Sequence, residues 1–227
     1  MGLTGSHNDN KKCPLCGKDG KLKSRHGIYY KCNVCDLEWL NSKYYSVESV
    51  NYVSVLNTIT KLRIANNKRI LDTLVQIMPQ GAEGLEVGSA VGLFMESAEA
   101  CGYKMHGIEP MEESYLISKN KGLNVTKGYF PVDMPQKKQY DFIIFNDAFE
   151  HIPKIKEVVE ACKEYLRPNG YLVINLPDSN GAIYNMSRIL DFFGESDELY
   201  RMWQIKTDSP HLYYFNKKSL DILCKSM

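Results

Sequence analysis

From Val47 to Met78 apolar side chains recur mostly three and four residues apart, at Val50, Val53, Ile59, Leu62, Ile70, Leu71, Leu74 and Val75. That spacing lays them along one face of an α-helix. A polar Asn66-Asn67 step interrupts the stripe, so the pattern predicts two helices or one broken helix, ended by Pro79-Gln-Gly81. Past Gly81 the rhythm changes. Short runs rich in β-branched and aromatic residues predict strands at Gly84–Gly88, Lys104–Glu109, Asn124–Lys127, Tyr140–Phe145 and Tyr171–Asn175. Helical periodicity covers Leu93–Cys101, Glu112–Lys121, Ile155–Leu166 and Lys217–Met227, the last opened by an Asn216 cap. Arg167-Pro-Asn-Gly170 stops one helix and turns into the next strand. Strand and helix alternating at this spacing predict βαβ units: an α/β fold with a doubly wound, mostly parallel sheet and helices on both faces.

Ahead of the helical stretch, four of the seven cysteines form the series Cys13-x2-Cys16-x15-Cys32-x2-Cys35. Each Cys-x2-Cys makes a tight knuckle that aims two thiolates at one point, and two knuckles complete the tetrahedron that Zn²⁺ prefers. An iron–sulfur centre or a redox dithiol needs a different spacing or a different surrounding fold. Four thiolates close the coordination sphere, so this metal is expected to be structural, supplying folding energy to a ribbon too small to bury a core. Gly17, Gly20 and Gly27 punctuate the turns, and Gly27-Ile-Tyr-Tyr-Lys31 predicts a short strand entering the second knuckle. The expected order is therefore an expression leader at 1–7, a zinc ribbon at 8–43, a helical linker or lid at 44–80 and the α/β domain at 81–227.

A chain of 227 residues has room for one such core and a small appendage. Its 44% hydrophobic and 24% charged residues exclude a chain disordered throughout. Lys and Arg total 28 against 27 Asp and Glu, so no global field favours nucleic acid or a membrane. Residues 1–43, however, hold eight basic residues against four acidic ones. With Tyr29, Tyr30 and Trp39 between them, the ribbon could contact nucleic acid, or these aromatics could pack its small core. Neither a spanning apolar run nor a signal peptide is present, which predicts a cytoplasmic location without a membrane partner.

The candidate chemistry lies in Gly84-Leu-Glu-Val-Gly-Ser-Ala-Val-Gly92, which follows a strand and opens a helix. Glycines there let backbone approach a ligand, and the helix N-terminus offers free N–H groups. The spacing is not the G-x-G-x-x-G of a nicotinamide enzyme. It resembles the first motif of the class I S-adenosylmethionine-dependent methyltransferases, an acidic residue, a spacer and then G-x-G-x-G. Glu86 takes the acidic position, Gly88 and Gly92 the outer glycines, and Ala90 stands for the middle one, with Ser89 between. In this resemblance Glu109, before Pro110 in His106-Gly-Ile-Glu-Pro110, binds the ribose hydroxyls of the cofactor. Tyr140-Asp-Phe-Ile-Ile-Phe-Asn-Asp-Ala-Phe-Glu-His-Ile-Pro153 is similar to the family's fourth strand, which brings Asn146, Asp147 and Ala148 beside the cofactor. Leu166-Arg-Pro-Asn-Gly-Tyr-Leu-Val-Ile-Asn-Leu-Pro177 resembles the fifth strand and its approach, and His211-Leu-Tyr-Tyr-Phe-Asn-Lys-Lys-Ser-Leu220 a segment of the branch that modifies sugars and other small metabolites. The likeness runs from about Lys11 to Leu220 and implies a Rossmann-like fold, with zinc ribbons preceding this domain in several such enzymes. Class I sheets usually end in two further strands, so either the reading frame is truncated or those strands are absent.

Methyl transfer from a sulfonium needs alignment above all. A hydroxyl acceptor also needs a base, for which His151 and His211 are the candidates, with Asp147 able to orient either one. Tyr44, Tyr45 and Tyr52 could close over the methionine end of the cofactor or pack between modules. The expected function is methyl transfer to a small-molecule acceptor, a hydroxyl of a sugar or related metabolite. Its rivals are an RNA methyltransferase targeted by the ribbon and a non-catalytic cofactor-binding module. The fourth strand lacks the Asn-Pro-Pro-Tyr of base-amino methylation, and no Pro-Cys pair for cytosine C5 chemistry occurs.

Overall fold

The computed structural model describes residues 11–45, 52–135, 138–207 and 209–225. The leader expected at 1–7 lies outside them, as do residues 46–51 of the predicted helical stretch and the side chains before Thr60 in the first helix. In chain order the elements begin with β1 (Gly20–Lys23), β2 (Tyr29–Cys32), β3 (Glu38–Leu40), α1 (Tyr52–Ile77), β4 (Glu83–Val87), α2 (Leu93–Ala100), β5 (Lys104–Glu109), α3 (Glu112–Asn120) and β6 (Val125–Lys127). They continue with β7 (Tyr140–Asn146), α4 (Ile155–Tyr165), β8 (Leu166–Asn175), α5 (Ala182–Phe193), α6 (Asp197–Met202), β9 (Tyr213–Tyr214) and α7 (Lys217–Lys225).

Contacts divide the chain into two units. The first, a parallel-sheet unit, takes α1 through Phe149 and residues 157–175. Its five strands run parallel in the order β6-β5-β4-β7-β8. The centre of β7, Phe142-Ile-Ile-Phe145, is wholly buried, the unbroken apolar run of a strand covered on both faces. Gly84 of β4 has no side chain because the Phe142 ring fills the place, 2.2 Å from where a Cβ would stand. Leu71 and Leu74 of α1 and Phe94, Met95 and Ala98 of α2 pack with Phe142 and Ile144 in one core. The predicted turn Arg167–Gly170 stands out as a bulge inside β8, between the pairs Tyr140↔Leu166 and Phe142↔Tyr171. Arg167 pins it, donating to Asp141 and to Glu83, each at 2.6 Å.

One correction concerns α1. The expected break at Asn66-Asn67 does not occur; the helix is continuous from Tyr52 to Ile77. Asn67 is buried and bonded to a β7 side chain, so its polarity marks a site rather than a gap.

The second unit, the ribbon unit, takes the described residues up to Tyr45, residues 150–156 and the chain from 176 onward. This differs from the linear order read from the sequence, and the reason is packing. Tyr184, Leu199, Trp203 and Tyr214 share one core with Ile28, Tyr29 and Leu40. β9 extends the ribbon's antiparallel sheet to the order β1-β2-β3-β9, through Glu38↔Tyr214 and Trp39↔Tyr213. Fully buried Glu38 accepts from Tyr184 Oη at 2.6 Å and Lys31 Nζ at 3.0 Å, with Arg188 Nη1 at 3.7 Å. Tyr29 and Trp39 are buried and belong to the packing. The Tyr44 and Tyr45 hydroxyls are tied to ribbon carbonyls, of His26 and Leu40. Residues 178–210, without a predicted element, form α5 and α6.

Candidate functional site

β4 pairs with β5 on one side and β7 on the other, so the sheet's connections reverse direction there. In an open α/β sheet the carboxyl ends of such strands flank the ligand crevice. Glu86, Gly88, Ser89, Ala90 and Gly92 leave the end of β4, Glu109 and Pro110 the end of β5, and Asn146, Asp147 and Ala148 the end of β7. The structure therefore brings together all ten residues singled out for the cofactor.

Each is held by backbone geometry that the sequence dictates. Gly88 has φ 74° and Gly92 φ 78°, in the left-handed region that favours glycine. A Cβ on Gly88 would stand 2.8 Å from that of Ala148, and one on Gly92 would stand 2.2 Å from Leu123 Cδ1. Ala90 adopts φ 47° with its methyl in place, at a cost of about 1 kcal/mol. Gly92→Ala is accordingly expected to lower the thermal midpoint of the parallel-sheet unit, by strain plus overpacking of about 1–3 kcal/mol. Far-UV circular dichroism melting checks this; an unchanged melt would contradict it.

Glu109 is buried, and both its oxygens are fixed: Oε2 accepts from Ala90 N and Oε1 from Met111 N, each at 2.8 Å. Burial raises its pKa, while the two N–H bonds oppose the rise. Glu86 is held well above the usual carboxylate range by burial, with Arg63 opposing and Glu109 adding to the shift. Burial likewise raises Asp147, against the pull of Arg63. Asp147 itself sits at φ 53°, an uncommon conformation for a non-glycine residue. Asn175 Nδ2 donates to Asn146 Oδ1 at 2.8 Å, and Asn146 Nδ2 donates to Asn67 Oδ1 at 3.0 Å, a ladder running from β8 through β7 to α1.

Two residues of this cleft escaped the sequence reading. Arg63 and Asn67, one turn apart on α1, line it together with Glu86, Ser89 and Asn146. Among the described residues, Arg63 Nε, Glu86 Oε2 and Ser89 Oγ are buried without a hydrogen-bond partner. A cleft that keeps such groups unsatisfied is built for a polar ligand. The pointer in the sequence was a polar pair at i, i+4 within an otherwise apolar helix. This donor set fits S-adenosylmethionine: a cation for a carboxylate, a carboxylate for ribose hydroxyls, and glycines where backbone must come close.

The two imidazoles singled out for catalysis lie in the ribbon unit, 4.8 Å apart between ring centroids. His151 Nδ1 is 2.9 Å from the Pro210 carbonyl, which can only accept, so that nitrogen carries a proton. His211 is buried; Tyr214 Oη donates to Met202 O at 2.7 Å and so accepts from His211 Nδ1 at 3.2 Å. Its Nε2 stands 4.0 Å from the buried Glu150 carboxylate. Burial, with His151 alongside, lowers the His211 pKa to about 3, leaving the ring neutral at ordinary pH.

Also in the ribbon unit, Cys13, Cys16, Cys32 and Cys35 converge. The Sγ atoms of Cys13 and Cys35 are 3.5 Å apart, as are those of Cys16 and Cys32. A tetrahedral zinc with bonds of about 2.3 Å has edges of about 3.8 Å, so the set closes on the ion with little movement. Amides of Val34 and Cys35 donate to Cys32 Sγ, the mark of a metal knuckle.

Together the parallel sheet, its reversal at β4 and the glycine loop beside two buried carboxylates define a Rossmann-like, S-adenosylmethionine-dependent methyltransferase domain. The chain belongs to the methyltransferase-domain family, whose model matches residues 60–226. Among curated proteins it is similar to the ubiquinone biosynthesis O-methyltransferase of Bordetella avium, 27% identical over 132 residues, 55% of this chain and 53% of that one. The Shewanella pealeana protein of the same name is 26% identical over 111 residues, 46% of this chain and 47% of that one. The chain thus spans about half the length of the curated relatives it matches. Its fold is shared with S-adenosylmethionine-dependent methyltransferases of Thermotoga maritima (TM-score 0.58, 18% identity, 77% and 76% of the two chains) and Archaeoglobus fulgidus (0.58, 17%, 78% and 73%). Among the described residues no helix is long and apolar enough to cross a membrane.

Proposed function

We propose that this protein transfers a methyl group to a hydroxyl of a small-molecule acceptor, a sugar or related metabolite. The observation that carries the reading is the cleft at the ends of β4, β5 and β7, with Glu109 held by two backbone N–H groups and Arg63 left with an unsatisfied donor. The oxygen acceptor draws support from the curated relatives, which are named O-methyltransferases.

S-adenosylmethionine, when bound, supplies a methyl group on a positive sulfur. Glu109 uses its remaining lone pairs to accept from both ribose hydroxyls, and Arg63 meets the amino-acid carboxylate. Gly88 and Gly92 let the backbone lie close to the methionine part, while Asn146, Asp147 and Ala148 wall the opposite side. Alignment supplies most of the acceleration. The acceptor's proton is assigned to His151, whose ring is held through Nδ1–H on a carbonyl. His211, neutral and buried, orients it.

Glu109→Ala removes two charge-assisted hydrogen bonds of about 1.5–3 kcal/mol each, so cofactor affinity should fall at least ~10-fold by calorimetric titration. An unchanged dissociation constant would count against the site. Product formation should follow with a sugar or other hydroxyl-bearing metabolite pool; methyl transfer confined to an RNA pool would replace the acceptor class.

A further inference from the structure

Helix α5 is built inside out. Its buried positions are Tyr184, Ser187 and Asp191, while Ile183, Met186, Ile189, Phe192 and Phe193 on the opposite side are 51–77% exposed. Polar groups on the inner face fix this orientation. Tyr184 Oη donates to Glu38, Ser187 Oγ to the Tyr184 carbonyl, and Asp191 accepts from Arg25 N at 2.8 Å and Ser196 Oγ at 2.6 Å. Turning the helix to hide its apolar stripe would take Tyr184 from buried Glu38 and Asp191 from Arg25 N and Ser196 Oγ, each a loss of about 1–3 kcal/mol. The stripe therefore faces outward by construction.

We propose that this face of α5 pairs with the same face of a second copy of the chain. At these exposures the five side chains present on the order of 600 Å² of apolar surface, the upper end of what a monomer leaves bare. Two such faces would bury roughly 1,200 Å², where specific interfaces begin. A two-fold axis perpendicular to α5 would set the helices antiparallel, with the carbonyl end of each by the N–H end of the other. Charge argues against a lipid surface as the occupant. An interfacial helix carries Lys and Arg beside its apolar stripe. The one basic residue of α5, Arg188, is turned toward Glu38 and the Tyr184 ring, and the residues after the helix bring Glu195, Asp197 and Glu198.

Sedimentation velocity on the full zinc-loaded chain across the micromolar range tests this. The wild type should sediment at twice the 26.0 kDa chain mass. Ile189→Arg and, separately, Met186→Glu should raise the dimer dissociation constant at least ~30-fold, as expected for central interface side chains. Both positions are exposed, so zinc content and melting temperature should stay at wild-type values, which keeps the loss distinct from unfolding. A wild type that stays at single-chain mass, a dimer that survives both substitutions, or a single-chain form that floats with phosphatidylglycerol vesicles would each overturn the proposal.

Discussion

Removing zinc with a strong chelator, or replacing Cys32 with serine, should unfold the ribbon unit. Four-thiolate zinc contributes on the order of 10–16 kcal/mol in small domains, as much as the whole stability of a typical protein. Both tryptophans of the chain, Trp39 and Trp203, are buried in that unit, at 2% and 0% exposure. Their fluorescence therefore reports on the unit alone. Loss of metal should shift the emission to the red and expose the thiols to a titrant, while one equivalent of added Zn²⁺ restores both. A chain that keeps native emission without metal, or a Cys32→Ser protein that still holds one zinc, would show the four sulfurs to be something other than a structural centre.

The second large effect concerns turnover. His151→Ala should leave cofactor affinity nearly intact and slow methyl transfer by ~10²–10⁴-fold, the usual contribution of a positioned base. His211→Asn keeps a hydrogen-bonding side chain next to it and should cost less, since a ring held neutral down to about pH 3 positions rather than titrates. A loss confined to His211 would move the base there. Near-normal rates in both variants would mean that alignment alone carries the reaction.

The parallel sheet was legible because its central strands are buried: the middle of β7 reads as an uninterrupted apolar run, and the observed bounds of β4, β5, β7 and α2 lie within a residue or so of those predicted. The glycine loop was legible because few residues tolerate its positive φ. Asn67 misled for a physical reason. Polarity in a helix stripe reads as a break, whereas here it faces a ligand cleft. Residues 182–193 do carry apolar positions at helical spacing, Ile183, Met186, Ile189 and Phe193; what periodicity could not show is that this stripe faces outward, with Asp191 inside and Phe192 and Phe193 outside. The composition of the ribbon unit was illegible altogether, since cysteine spacing locates a metal but says nothing of which distant strand will pair with β3.

That pairing has a consequence for the order in which the protein is made. The cysteines leave the ribosome early, and metal capture needs nothing further. Glu38, however, waits for Tyr184, 146 residues downstream, and β3 waits longer for Tyr213 and Tyr214. At about 5–20 residues per second the interval is roughly 10–30 s. Throughout it the nascent ribbon carries an open strand edge and a Glu38 carboxylate partnered by Lys31 without Tyr184, while the central strands of the parallel sheet are already being synthesised. The ribbon unit is thus completed only after the parallel sheet has been translated between its segments.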